Sequence, residues 1–137
     1  MKTFIFIAIC FVFFLTTALL QPDPDFEASM ERGKEVYVMH CQSCHMANGE
    51  GMGTALPPLA KADYMLEDRA RAIKETIFGV SGEMVINGKT YNGYMPPINI
   101  NDQETADVLT YVFNSWGNKD KPFTTEEVAK VRADHSN

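Results

Sequence analysis

The sequence is short of cysteine, histidine and basic residues, and each shortage narrows what it can be. Three cysteines and three histidines occur in 137 residues. A scaffold built on disulfides needs a denser framework. A structural zinc site needs four ligands, and beyond Cys41, Cys44 and His45 the chain offers only His40, His135 and the distant Cys10. Lysine and arginine number 12 against 18 acidic residues, a net charge of −6. Nucleic acid, which is held by clustered basic side chains, is therefore not an expected partner, whereas a partner with a positive face is favoured. Internal repeats and low-complexity tracts are also missing. What is present, 45% hydrophobic and 22% charged residues, is the composition of one globular domain, neither disordered nor multi-spanning.

Only one long apolar run occurs, residues 4–20, behind Lys2 and broken by Thr16 and Thr17. A positive start followed by an apolar stretch is the pattern of an export signal. Residues 16–18 offer a small-x-small cleavage site, yet the run approaches the length of about 20 residues that spans a bilayer. Residues 1–20 are thus expected to be a signal peptide or an N-terminal anchor, and the protein to be exported to the periplasm, soluble or tethered to the membrane. Cys10 sits inside this run and belongs to it. Residues 21–26, which begin QPDPD, form a linker.

The remaining chain reads as all-α. Met30, Gly33, Val36, Tyr37 and His40 recur on one helical face over 26–40, a helix that runs into CQSCH. Asn48, Gly49, Gly51 and Gly53, closed by Pro57 and Pro58, mark a loop. A helix over 68–78 stops at Gly79. A second loop, 80–98, follows. Asn101 and Glu104 have capping-box spacing at the head of a helix that carries Val108, Leu109, Val112, Phe113 and Trp116 and ends at Gly117. Thr124 and Glu127 repeat that spacing before a short terminal helix with Val128 and Val131. The expected division is a domain over 27–117 and a C-terminal extension over 118–137.

Cys41 and Cys44 are the pair that carries chemistry. A disulfide at this spacing closes a very small loop and adds little constraint. A thioredoxin-like site would follow a strand in a βα pattern, and here a helix precedes it. With His45 next in line the segment is CxxCH, the attachment signature of c-type haem. Thiols one helical turn apart can each add to a vinyl group of one porphyrin, and the adjacent imidazole then reaches the iron.

An electron carrier keeps its ligation between oxidation states, which calls for a sixth ligand, and methionine raises the potential relative to a second histidine. Met30 and Met39 lie on the first helix, Met46 adjoins His45, and Met52 and Met65 have no distinguishing context. Met84 and Met95 share the second loop. Met95 precedes Pro96 and Pro97, which stiffen the backbone at the ligand, so Met95 is the first choice and Met84 the second. Pro57 or, alternatively, Pro58 can offer His45 a carbonyl that fixes its tautomer.

With Gly33 and Tyr37 ahead of CxxCH, then Asn48, Gly49, Glu50 and Gly51, then Pro57, Pro58 and Leu59, then NGKTYNG over 87–93, Met95 with Pro96 and Pro97, and LTYVFNSWG over 109–117, the sequence resembles the class I cytochrome c family. The likeness covers residues 31–132 and is to the small bacterial mono-haem domains associated with quinoprotein dehydrogenases, terminal oxidases and copper nitrite reductases. It implies the cytochrome c fold around one haem c, held through two thioethers from Cys41 and Cys44. It further implies iron ligation by His45 and Met95, the carbonyl role for Pro57, and Leu59 packed on the porphyrin. A lysine-rich docking face, usual in the family, is not evident here. Arg69 and Arg71 are candidates for the propionates or simply solvated. His40 and Trp116 read as packing residues and His135 as part of a frayed tail.

The expected function is to carry single electrons between a donor and an acceptor redox protein, with no catalysis of its own. The alternatives are a membrane-anchored cytochrome subunit of a dehydrogenase, oxidase or nitrite reductase complex, and a haem enzyme or gas sensor whose distal ligand is displaceable.

Overall fold

The computed structural model describes residues 24–135. The expected leader, residues 1–20, and the front of the linker lie outside the described residues. The elements run α1 (Pro24–His40), α2 (Gln42–His45), α3 (Asp63–Leu66), α4 (Arg69–Phe78), β1 (Val80–Ile86), β2 (Lys89–Met95), α5 (Asp102–Val112) and α6 (Thr125–His135). No helix among them is long and apolar enough to cross a membrane.

The crossing of α1 and α5 organises the core. Gly33 sits where the two backbones meet: a Cβ there would come 2.0 Å from the Asp107 carbonyl oxygen, so only glycine permits this approach. Around it Tyr37, Val108, Leu109, Val112 and Phe113 are buried together with Ile73 and Ile77 of α4. The sequence reading missed a buried charge at this crossing. Asp107, 2% exposed, accepts hydrogen bonds from Ser29 Oγ at 2.6 Å, from Arg32 Nε and Nη2 at 2.7 and 2.9 Å, and from Gln103 Nε2 at 3.1 Å. Burial alone would push its pKa up, but these donors outweigh it and hold the carboxyl below its ordinary value.

Caps read from sequence explain the helix starts. Asn101 and Glu104 close a reciprocal capping box on α5, Asp68 accepts from Arg71 N at the head of α4, and Thr124 and Glu127 exchange side-chain-to-backbone bonds before α6. Helix α5 ends a turn sooner than Gly117 suggested. Beyond Val112 the chain turns, and Trp116, at φ 54°, swings its ring to 5.1 Å from Tyr37 and 5.6 Å from Tyr111. Residues 118–135 pack on the same core: Phe123 and Val128 are buried, and Arg69 pairs with Asp120 and Glu127 at 2.8 and 2.9 Å.

The expected all-α architecture is corrected by an antiparallel hairpin in the stretch 80–98 that had read as loop. Val80 pairs with Met95 and Ile86 with Lys89, joined by Asn87 and Gly88, both at positive φ. Asn-Gly is the preferred pair for such a two-residue turn. Two further expectations change. His40 is exposed rather than packed, and His135 closes α6 with its ring 4.0 Å from that of Phe78 rather than fraying.

Candidate functional site

One wall of the site is the end of α1 and the short α2. Cys41 N donates to Tyr37 O at 2.9 Å, continuing the α1 pattern, and Cys44 N and His45 N both return to Cys41 O. This single turn puts both thiols and the imidazole on the lining of one cavity. Tyr37 ties the turn down, its hydroxyl donating to the Met46 carbonyl at 2.6 Å. The two cysteines are free thiols, Cys41 half-buried and Cys44 exposed. Burial, with a smaller contribution from Cys44, pushes the Cys41 thiol up to about 11, so it waits as a neutral thiol.

His45 is buried at 8% exposure and its Nδ1 lies 3.1 Å from the Pro57 carbonyl, an acceptor that leaves Nε2 unprotonated for a metal. Burial lowers its pKa and the Pro57 bond partly opposes this, leaving the neutral form that ligation requires. The loop that brings Pro57 here is held by Gly49, whose carbonyl accepts from Leu59 N at 2.7 Å and Ala60 N at 2.9 Å. Leu59 is thereby placed on the cavity wall, as are Pro57 and Pro58.

The facing contribution comes from the hairpin. Met95 and Met84 both line the cavity. They are separated along the ladder, since Met95 pairs with Val80 and Met84 lies four residues further on, about 13 Å of strand. Met84 packs with Tyr64, Met65, Ile86 and Tyr91 in a satellite cluster. Met95 instead begins the segment pressed on Gly79, where a Cβ would come 2.5 Å from the Met95 carbonyl and 2.9 Å from Pro97 N. Gly79, at φ 76°, so permits both the end of α4 and the seating of Met95. Ile98 N then bonds Thr76 O at 3.3 Å, which anchors the far side of the prolines.

The cavity is open to solvent at one side and is lined mainly by apolar groups such as Leu56, Val80, Ile98, Val108 and Leu109. Free thiols one turn apart, a neutral imidazole with one nitrogen committed, methionine sulfur on another wall and apolar surroundings fit a flat, covalently held iron porphyrin. Arg69 is spent on Asp120, Glu127 and the carbonyls of Lys121 and Pro122, and Arg71 lies over the Tyr64 ring and donates to the Tyr64 carbonyl.

Such a site defines a c-type haem protein. The comparisons with known proteins agree: residues 30–116 match the family described as Cytochrome c. Over 111 residues the chain is 36% identical to cytochrome c-552 of Thermus thermophilus, a match covering 74% of this chain and 84% of that protein. It is 29% identical over 117 residues to the cytochrome c subunit of alcohol dehydrogenase (quinone) of Gluconobacter oxydans (strain 621H), covering 75% of this chain and 21% of the subunit. To the gluconate 2-dehydrogenase cytochrome c subunit of Pantoea cypripedii it is 29% identical over 114 residues, 77% of this chain and 25% of that subunit. The chain belongs to the cytochrome c family. It has the cytochrome c fold, with a small hairpin added to the helices, binds haem c covalently and serves electron transfer.

Proposed function

We propose that Cys41 and Cys44 form the two thioethers, that His45 and Met95 ligate the iron, and that the protein shuttles single electrons between exported redox partners without catalysing a reaction itself. The observation that carries the reading is the joint placement of both thiols, His45 and Met95 on one largely apolar cavity. The bound haem supplies a one-electron couple. The chain's residues do the rest. Pro57 fixes the His45 tautomer, Gly79 and the two prolines seat Met95, and the apolar walls exclude water and disfavour the more highly charged ferric form. Exposed Cys44 and Tyr94, the latter 70% exposed, mark the rim where a partner can come near the haem edge.

The test is the visible spectrum of the reduced holoprotein, made with c-type maturation machinery, before and after carbon monoxide. An unchanged spectrum is expected of iron closed by Met95. A prompt shift would mean an open site and replace the carrier by a gas-binding or catalytic role.

A second reading is favoured by the dehydrogenase relatives. The match spans only about a fifth to a quarter of those two subunits, so the chain corresponds to one part of each. In this reading residues 1–20 remain as an anchor, the expected linker of residues 21–26 gives way at Pro24 to α1 so that only its front is a tether, and a membrane dehydrogenase is the electron donor. Recovery of the native protein only with detergent supports it, and a cleaved form in the soluble periplasmic fraction excludes it. Residues 27–117 are the haem domain in either case, with 118–137 as an extension.

A further inference from the structure

Residues 116–118 turn back from the end of α5 onto the loop that carries Pro57 and Leu59. Trp116 and Gly117 follow one another at φ 54° and 89°, left-handed backbone that reverses the chain. The Trp116 ring lies against Gly49, where a Cβ would come 2.5 Å from Trp116 Cε3. Asn118 comes next and is buried, 7% exposed. Its Oδ1 accepts from Lys61 N at 2.7 Å, and its Nδ2 donates to the carbonyls of Leu59 at 3.1 Å and Val112 at 2.8 Å. One side-chain amide thereby joins the loop to the last turn of α5. Leu59 and Val112 line the haem cavity, and Pro57, whose carbonyl faces His45 Nδ1, stands two residues before Leu59.

We propose that Asn118 is a positioning residue for the haem. By tying Leu59 and Lys61 to α5 it holds Leu59 against the porphyrin and keeps the Pro57 carbonyl on the His45 ring. The inference rests on the haem reading of the cavity.

The amide is matched atom for atom. Two N–H donors meet two carbonyls and one oxygen meets one N–H, a set that an asparagine amide supplies and a carboxylate or a hydroxyl does not. Val112 ends α5, where helix carbonyls run out of intrahelical partners, so the same Nδ2 also caps that helix. Lys61 holds φ 53° without being glycine, and such backbone persists only where its surroundings fix it. The bond from Lys61 N to Asn118 is one such restraint. On its other side the loop is bound through Leu59 N and Ala60 N to the Gly49 carbonyl, itself under Trp116. The bond from His45 Nδ1 to Pro57, at 3.1 Å, is already at the long end of the ordinary range. A small retreat of the loop therefore weakens it, and with it the basicity that the carbonyl lends to the imidazole.

The experiment follows the His45 Nδ1 proton and the Leu59 methyl groups by nuclear magnetic resonance of the ferrous holoprotein. The proteins compared are the natural one, Asn118→Ala, Asn118→Asp and Arg69→Gln. Loss of the amide in Asn118→Ala should speed exchange of the Nδ1 proton with solvent about tenfold, the worth of roughly one hydrogen bond. The Leu59 methyl groups should move away from the positions that the porphyrin ring current gives them. Asn118→Asp keeps the shape and the acceptor for Lys61 N but meets the Leu59 and Val112 carbonyls without a donor. It should change both signals in the same direction, and it carries the test if the alanine variant is not recovered as holoprotein. Arg69→Gln loosens a different contact between residues 118–135 and the core, and should change neither signal. An Nδ1 proton and Leu59 methyl groups unmoved in both Asn118 variants, or moved as much in Arg69→Gln, overturn the proposal. Leu59 methyl groups without a ring-current shift in the natural protein would instead sink the placement of Leu59 on the haem, and the proposal with it.

Discussion

The two sides of the haem site are held by different physics. The His45 side is the end of a helix whose crossing with α5 lies in the main core, with Gly33 at the contact and Asp107 satisfied by three side chains. The Met95 side is a two-stranded hairpin whose outward residues Val85 and Tyr94 are exposed and whose own core is the small cluster around Ala62, Ile86 and Tyr91. An isolated hairpin is marginal by itself. The Met95 segment is instead fixed by contact with the end of α4, through Gly79 and the bond from Ile98 to Thr76. The placement of His45 therefore depends on the global fold, and that of Met95 on a local fit that can change while the fold survives.

That contrast is open to attack, most forcefully at Gly33. Gly33→Val would place atoms inside the Asp107 carbonyl, and a loss above about 4 kcal/mol is expected, read as failure to recover folded holoprotein. Normal yield and melting would refute the idea that the crossing governs the His45 side. Asp107→Asn breaks a buried ion pair, and because Arg32 is half-exposed the lower end of the usual cost, about 3 kcal/mol, is expected. The pH dependence has a definite sign. The folded-state pKa of Asp107 is depressed, so its stabilisation is present above the unfolded value of about 3.9 and is lost as pH falls through the folded value. Urea midpoints measured downward from neutral pH should converge for the two proteins; parallel curves would assign the difference to packing.

On the hairpin side the largest readout should be electronic. Met95→Ala should lower the potential and admit carbon monoxide while the covalent haem and helix content persist, whereas Met84→Leu should leave both unchanged. The reverse pattern would transfer the ligand role to Met84. Smallest is Arg69→Gln, which removes a partly exposed network to Asp120 and Glu127. About 1 kcal/mol is expected, appearing as faster hydrogen exchange in α6 with the potential unaltered.

Legibility in the sequence followed the range of the interactions. Helix starts at Asn101 and Thr124 were readable because a capping box lies within four residues. The hairpin was not read, although Asn87 and Gly88 signal one, because Gly82 and Gly93, paired in register, and the following prolines gave the stretch the composition of a loop. Glu75 and Asp107 looked like ordinary helical acids. One became a wall of the cavity and the other the centre of the α1 and α5 crossing only through partners on other elements: Tyr64, eleven residues before Glu75, and Arg32, 75 residues before Asp107.

Attachment chemistry was determined by sequence alone, because CxxCH places two thiols and an imidazole within one turn whatever surrounds them. Tertiary structure decided what those groups face. It joined the Pro57 carbonyl to His45, set Met95 rather than Met84 beside Gly79, and, among the described residues, left Glu75 as the one carboxylate on the cavity wall. These depend on how far backbones can approach and on which charges burial leaves paired, and neither is written in any local stretch of the chain.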